Sequence, residues 1–294
     1  MDTERLRILR ELADRGTVAA TAASLNLTPS AVSQQLKVLA REAGVALLEP
    51  DGRRVRLTDA GRALVLRAED VLGALARAEA EMDSYRGSPR GTVRVAMFPS
   101  GAALLLPGVL DRLDGVELVA GDEDYPASEV SRLLADYDIV LTHRDERSPS
   151  AAAPRVAVRT LMREPIDLVL PRTHRFADDE SVDIHDLAGE RWISVRGGFP
   201  VDDILNSIAT VTGMQPRVVQ RINDFRVTEE LVAHDHGIAL MPTHASTHPD
   251  VRRVHLVGVR AARIYDLATR PGATRRPAVA AVVDAFVAEA ARVG

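Results

Sequence analysis

The sequence predicts a mixed α/β chain in three successive parts: an all-α N-terminal domain carrying a small β-hairpin, one long helix, and two α/β lobes. Three observations predict this. Apolar residues recur at helical spacing through the first 43 residues, and an Asp51-Gly52 turn follows between short extended runs. An apolar seam in alternating steps of four and three then runs from Leu64 to Tyr85. From Thr92 onward, short β-rich runs alternate with helical ones, the pattern of parallel α/β sheets.

At 294 residues the chain can hold two or three domains, each with its own core. Hydrophobic residues make up 46% and charged residues 27%, an ordinary soluble composition. No apolar run is long enough to span a bilayer, so no membrane association is expected. The start, MDTERLRILRELADRG, lacks the apolar core of a signal peptide. With no cysteine, disulfides, thiolate zinc sites and thiol catalysis are excluded. These features predict a cytoplasmic protein. The formal net charge is −5, yet residues 1–57 carry nine Lys/Arg against seven Asp/Glu, so a local +2 leaves −7 for the remainder. That split suits a small nucleic-acid-facing module on an acidic body.

The first helix is expected over Thr3–Arg15, with Leu6, Leu9 and Ala13 inward and Gly16 as its stop. Thr17 can cap a short second helix, broken at Asn26. Thr28-Pro29 is a strong helix start, because a side-chain oxygen meets the exposed amides and the Pro ring sets φ for the first turn. The third helix runs to about Ala43, with Val32, Leu36, Leu39 and Ala43 inward and Ser30, Ser33, Gln34, Lys37 and Arg41 outward. Small hydroxyls, an amide and cations on one helical face are what major-groove readout requires. Arg53, Arg54 and Arg56 on the hairpin could reach phosphate or the minor groove. This order of elements defines a winged helix-turn-helix over residues 1–58, with Thr28, Pro29, Ser30, Ser33, Gln34, Lys37, Arg53 and Arg54 as candidate contacts to double-stranded DNA. An ordinary helical bundle with a solubilising basic hairpin is the competing structural reading.

The stretch GTVAATAASLNLTPSAVSQQLKVLAREAGVALLEPDGRRVRLTDAGRAL resembles the DNA-binding signature of LysR-type transcriptional regulators over about fifty residues without a gap. The family often has Gln-Pro where this chain has Pro29-Ser30, and Arg where it has Gln34, so the operator sequence does not carry over. The resemblance implies a DNA-binding regulator modulated by a small molecule. It also implies a homodimer assembled into a homotetramer, and a long linker helix that pairs two subunits antiparallel.

Thr58 can cap that helix, which is expected over residues 59–87. Its seam of Leu64, Ala68, Val71, Leu75, Ala78, Met82 and Tyr85 predicts dimerisation, since an apolar stripe without a partner would face water. Packing on its own domain is the alternative. Arg86-Gly87-Ser88-Pro89 reads as a hinge.

The last part, 88–294, is expected to form lobe I (about 91–162 and 268–294) and lobe II (about 166–265). The chain would cross between them near Met162–Pro165 and Tyr265–Ala268, giving a hinged cleft like the periplasmic binding protein type II fold, which in the family holds the effector. Ligands of open α/β sheets sit beyond strand carboxyl ends. Four loops fit: Ser100-Gly101, Thr142-His143, Arg196-Gly197-Gly198 and Phe225-Arg226. Two arginines there would favour an anionic or zwitterionic effector, unless both are ordinary surface charges.

His234, His236, His244 and His248 invite a metal reading, but Pro242, Pro249 and Gly237 disrupt any helix that would align them, and exposed loop histidines are the expectation. No nucleophile elbow, phosphate loop or dinucleotide fingerprint occurs, so neither catalysis nor a cofactor is predicted. The alternatives are an enzyme or metal-binding domain fused to a helix-turn-helix, and an interaction module that binds no DNA. The first needs a clustered acid/base pair that the sequence does not show. The second leaves the polar helix face and basic hairpin unexplained.

Overall fold

The computed structural model describes residues 1–52, 54–84, 91–245 and 248–294, and the side chains of 54, 77, 79–81, 83 and 84 are also outside the description. Arg53, the Arg54 side chain, Tyr85 and the 86–89 hinge therefore lie outside the described residues.

α1 (Thr3–Arg15) starts at Asp2, whose side chain accepts from the Glu4 amide, and stops at Gly16 with φ 72°. α2 (Val18–Ser24) is capped by Thr17, and Asn26 makes the tight turn at φ 53°. α3 (Pro29–Ala43) opens on the Thr28 side chain, 3.2 Å from the Ala31 amide, with Pro29 in its first turn. β1 (Leu48–Asp51) and β2 (Arg54–Leu57) pair antiparallel as the wing. α4 (Asp59–Ser84) begins under the Thr58 hydroxyl. Gly61 is required there: a Cβ would stand 2.2 Å from the Leu47 carbonyl oxygen. Leu9, Val32, Leu39, Leu47, Val65 and Ala68 form the core of this head, and each fully buried large aliphatic contributes about 1.5–3 kcal/mol.

α4 corrects the expected seam. Ala68 is fully buried in the head's own core, between Val65 and Leu72, and Leu64 packs against the same cluster. Val71, Leu75 and Met82 instead stay 44%, 40% and 53% exposed, and Ala78 is exposed between them. At 3.6 residues per turn these are two adjacent apolar faces, and the expected seam ran across the border between them. One closes on α1; the other is open.

The body is built from β3 (Gly91–Met97), α5 (Pro99–Leu110), β4 (Val116–Asp122), α6 (Val130–Leu133), β5 (Ile139–Asp145), β6 (Ala157–Pro171), β7 (Ser181–Asp183), β8 (Arg191–Ser194), α7 (Pro200–Thr212), β9 (Arg217–Arg221), α8 (Phe225–Ala233), β10 (Ile238–Pro242), β11 (Val251–Val257), β12 (Ala262–Thr269) and α9 (Pro277–Val293). The main sheet runs β4-β3-β5-β12-β6-β10-β8-β9, with β11 and β7 attached at β6. β6 is the shared strand. Residues 157–165 pair with β12 in lobe I, and residues 166–171 pair with β10 and β11 in lobe II. The crossing expected near Met162–Pro165 is therefore made inside one continuous strand. The return crossing comes just before Ala262, not at Tyr265–Ala268, because all of β12 pairs inside lobe I. β7 and β11 were not anticipated. Lobe I closes around Val95, Met97, Leu105, Val282 and Phe286; lobe II closes around Leu168, Ile204, Leu205, Ile238 and Leu240.

The head rests on lobe I through buried carboxylates. Asp14 on α1 accepts from Arg155 (2.6 Å) and Arg270 (2.7 Å), and Glu69 on α4 accepts from the same two arginines (2.6 and 3.3 Å). Arg15 makes a paired contact with Asp136.

Candidate effector cleft and DNA-binding surface

The two lobes enclose a cavity of about 650 Å³. Its floor is Arg263 on β12, only 1% exposed. An arginine tolerates such burial only when its donors are taken. Here Nε donates to Glu164 Oε2 (2.7 Å), Nη1 to His143 Nδ1 (3.2 Å), and Nη2 to both Ser100 Oγ (3.1 Å) and Tyr265 Oη (2.6 Å). Glu164, wholly buried on β6, also accepts from the Tyr265 hydroxyl (2.9 Å) and the His244 amide (2.9 Å). Burial pushes the Glu164 carboxyl up, but Arg263 and these hydrogen bonds outweigh it and hold it below the usual carboxylate range. Because the guanidinium can only donate, His143 Nδ1 is an acceptor and its proton sits on Nε2. Nε2 is enclosed without a partner, and burial together with Arg263 keeps the ring uncharged, well below the ordinary histidine range.

Apolar walls complete the cavity. Phe98 stacks on His143 at 4.1 Å, while Phe199 and Phe225 approach from lobe II. The chain has five phenylalanines, and three of them meet here. The start of α5 faces the cavity at Pro99 and Ser100 with no side-chain cap, so the first amides of that helix remain available. α7 also lacks a cap, but its first turn carries Asp202 and Asp203. An anionic group is therefore better placed at the α5 end, beside Ser100 and Arg263. Asp122 and Asp124 on the lining could receive an ammonium.

Of the expected effector residues, the structure brings Ser100, His143, Phe225 and Arg226 to the cavity, though Arg226 is 88% exposed and turned to Asp224. The others fall elsewhere. Ser100-Gly101 is the first turn of a helix, not a loop, and Gly101 packs against Phe98, whose ring would stand 2.5 Å from an added Cβ. Thr142 and His143 lie within β5; Thr142 is buried off the cavity with its hydroxyl unpartnered. Arg196 and Gly197 are exposed and do not line the cavity. Arg196 reaches across to Asp124 of lobe I (2.8 Å), joined by Asn223 (2.6 Å), and so ties the lobes together. Phe98, Phe199, Glu164, Arg263 and Tyr265 were not expected. The scarcity of aromatics, 3% of the chain, was the one available signal for the first two. Among the described residues no cluster of three metal-ligating side chains forms. His234 and His236 are exposed, and His244 and His248 face Glu164 and Glu230.

On the head, Thr28, Pro29, Ser30, Gln34 and Lys37 are exposed along one side of α3, with Ser33 half-buried beside them. Gln35 is held by Arg5 (3.0 Å). Arg56 on the wing pairs with Glu49 across the hairpin (2.9 Å).

A winged helix-turn-helix joined by a long helix to a two-lobed ligand cleft defines a ligand-responsive DNA-binding protein. Residues 3–62 match the bacterial regulatory helix-turn-helix protein, lysR family, and residues 86–291 match the LysR substrate binding domain. The chain belongs to the LysR family of transcriptional regulators. It is 27% identical over 259 residues to the transcriptional dual regulator GltC of Bacillus subtilis, covering 85% of this chain and 84% of that one. A full-length OxyR variant from Pseudomonas aeruginosa shares the fold at TM-score 0.67 and 18% identity, covering 98% of both chains. ArgP from Mycobacterium tuberculosis does so at TM-score 0.66 and 22% identity, covering 99% of this chain and 97% of that one. No described helix is long and apolar enough to cross a membrane.

Proposed function

We propose that this regulator binds operator DNA as a dimer or larger, in the cytoplasm, and takes a small anionic or zwitterionic effector with an apolar body into the cleft without transforming it. The carrying observation is the inter-lobe cavity, where an uncapped helix start, Ser100 and Arg263 meet three phenylalanine rings. The cavity volume suits a compact organic ligand. Among the described residues the Ser100 hydroxyl takes its side-chain hydrogen bond in the cleft from the donating Arg263, so no base is set to activate it as a nucleophile. Regulation requires the effector to favour one arrangement of the lobes, and about 1–3 kcal/mol of coupling suffices.

A thermal-shift screen of amino acids and small organic acids tests the cleft. A true effector at 100 times its Kd should stabilise the protein by about 2.7 kcal/mol. In Ser100→Ala, one lost hydrogen bond of about 0.5–1.5 kcal/mol should weaken binding several-fold. Turnover of the ligand, or an unchanged Kd in that variant, would count against the site.

The exposed face of α3 carries the DNA contacts in this reading, together with Arg53 and Arg54 of the wing. Gln34→Ala should cost about 1–3 kcal/mol of discrimination between matched and scrambled operators. Lys37→Ala should weaken both equally and reduce the salt slope by about one unit. Titrations at two salt concentrations distinguish the two effects, and wild-type behaviour in both variants would move the DNA surface elsewhere.

A further inference from the structure

A second cavity, about 290 Å³, lies where the head meets lobe I, away from the effector cleft. Four arginines line it: Arg10 from α1, Arg94 from β3, and Arg270 and Arg276 from the segment between β12 and α9. Carboxylates also reach its wall, but each is already engaged. Glu69 serves Arg155 and Arg270, Asp136 serves Arg15, and Asp138 serves Arg276 and the Arg94 amide. Two cations are left over among the described residues. Arg94 lies 5.5 Å from the Tyr137 ring centroid and makes no side-chain hydrogen bond to a carboxylate. Arg10 is half-buried with its Nε enclosed and no partner; burial and the like charge of Arg270 outweigh the nearby Asp14, Glu11 and Glu69 carboxylates, none of which it hydrogen-bonds among the described residues.

An enclosed guanidinium without an acceptor is costly, and a cation beside it raises the cost. A water can accept one hydrogen bond but does not cancel the charge. A compact oxyanion does both: its oxygens take the guanidinium forks, and its charge offsets Arg10 and Arg94 together. We propose that this inter-domain cavity is a second ligand site, specific for a phosphate-type oxyanion, free or as a small phosphomonoester. An anion there contacts α1 of the head and β3 of lobe I at once. It therefore fastens the DNA-binding head to the sensing body, and it does so independently of the cleft.

The test uses the full-length protein with inorganic phosphate and methyl phosphate as probes, against chloride at matched ionic strength. Calorimetric titration should show saturable binding of at least one probe, with a rise in melting temperature that chloride does not give. Arg10→Met and Arg94→Met should each weaken binding at least tenfold. Arg94 is exposed, so its variant should fold even if Arg10→Met does not. Arg159→Met, which removes a surface charge 55% exposed on lobe I, should bind as wild type does. The proposal fails if neither probe saturates, if both cavity variants bind normally, or if Arg159→Met loses as much as they do. Binding by methyl phosphate alone would assign the esterified ligand, and binding by phosphate alone the free ion.

Discussion

Arg263→Met should destabilise the body by about 3–5 kcal/mol at neutral pH, the range for removing one partner of a buried ion pair. The substitution keeps the volume of the side chain but leaves the wholly buried Glu164 carboxylate with only the Tyr265 hydroxyl and the His244 groups. The size of the effect must depend on pH. In the wild-type protein Glu164 is held below its ordinary range, so its stabilising contribution is full above the unfolded carboxylate value and is lost as pH falls through the folded value. Without Arg263, burial is opposed only by the Tyr265 and His244 hydrogen bonds, and the carboxyl moves up. The variant then takes up a proton on folding, and its penalty relative to wild type shrinks on acidification. Urea unfolding at pH 7 and pH 5 measures both. The double variant Arg263→Met/Glu164→Leu should recover much of the loss, because the stranded charge is gone. A single variant within about 1 kcal/mol of wild type at pH 7 would show that the network does not hold the cleft floor.

The elements most legible in the sequence were those fixed by local chemistry. Thr28-Pro29, Gly16 and Gly44 mark helix ends through capping and backbone geometry that need no tertiary context, and they bound α1 and α3 where the structure has them. The cleft was legible only by rule: ligands lie past strand ends, which led to Ser100 and His143 although one sits in a helix turn and the other inside a strand. Arg263 was not legible. Its environment is made by Glu164, 99 residues earlier, and by Ser100 and His143, more than a hundred residues earlier. An arginine in the strand ARIYDLAT looks like a solvent-facing position until those partners are placed. β6 hid for a related reason: Pro165 reads as a break, yet it falls at the switch between pairing partners of one strand that serves two lobes. The heptad pattern on α4 was correct as periodicity and incomplete as packing, because spacing alone does not say which of two neighbouring apolar faces meets α1.

That open face leads to the second large effect. Val71, Leu75, Ala78 and Met82 follow one another in steps of four, three and four, and the three large side chains are each at least 40% exposed. They lie on the neighbouring face, beside the buried stripe of Val65, Ala68 and Leu72 and outside the head's own core. The occupant proposed is α4 of a second copy, whose identical stripe supplies the self-complementary surface a two-fold interface requires and sets two α3 helices on related half-sites. Light scattering should give the wild type at twice the chain mass or more at micromolar concentration. Leu75→Glu would place a charge in that contact without touching the head's own core, and an uncompensated buried charge costs several kcal/mol. The dimer dissociation constant should therefore rise by about a hundredfold or more, each tenfold corresponding to about 1.4 kcal/mol. Affinity for a two-half-site operator should fall with it, while helix content stays at the wild-type level. Leu66→Glu, on another exposed position of the same helix, should leave the assembly intact and controls for charge and helix propensity. A monomeric wild type, or equal behaviour of the two variants, would leave the stripe without a partner and the proposed dimer without its interface.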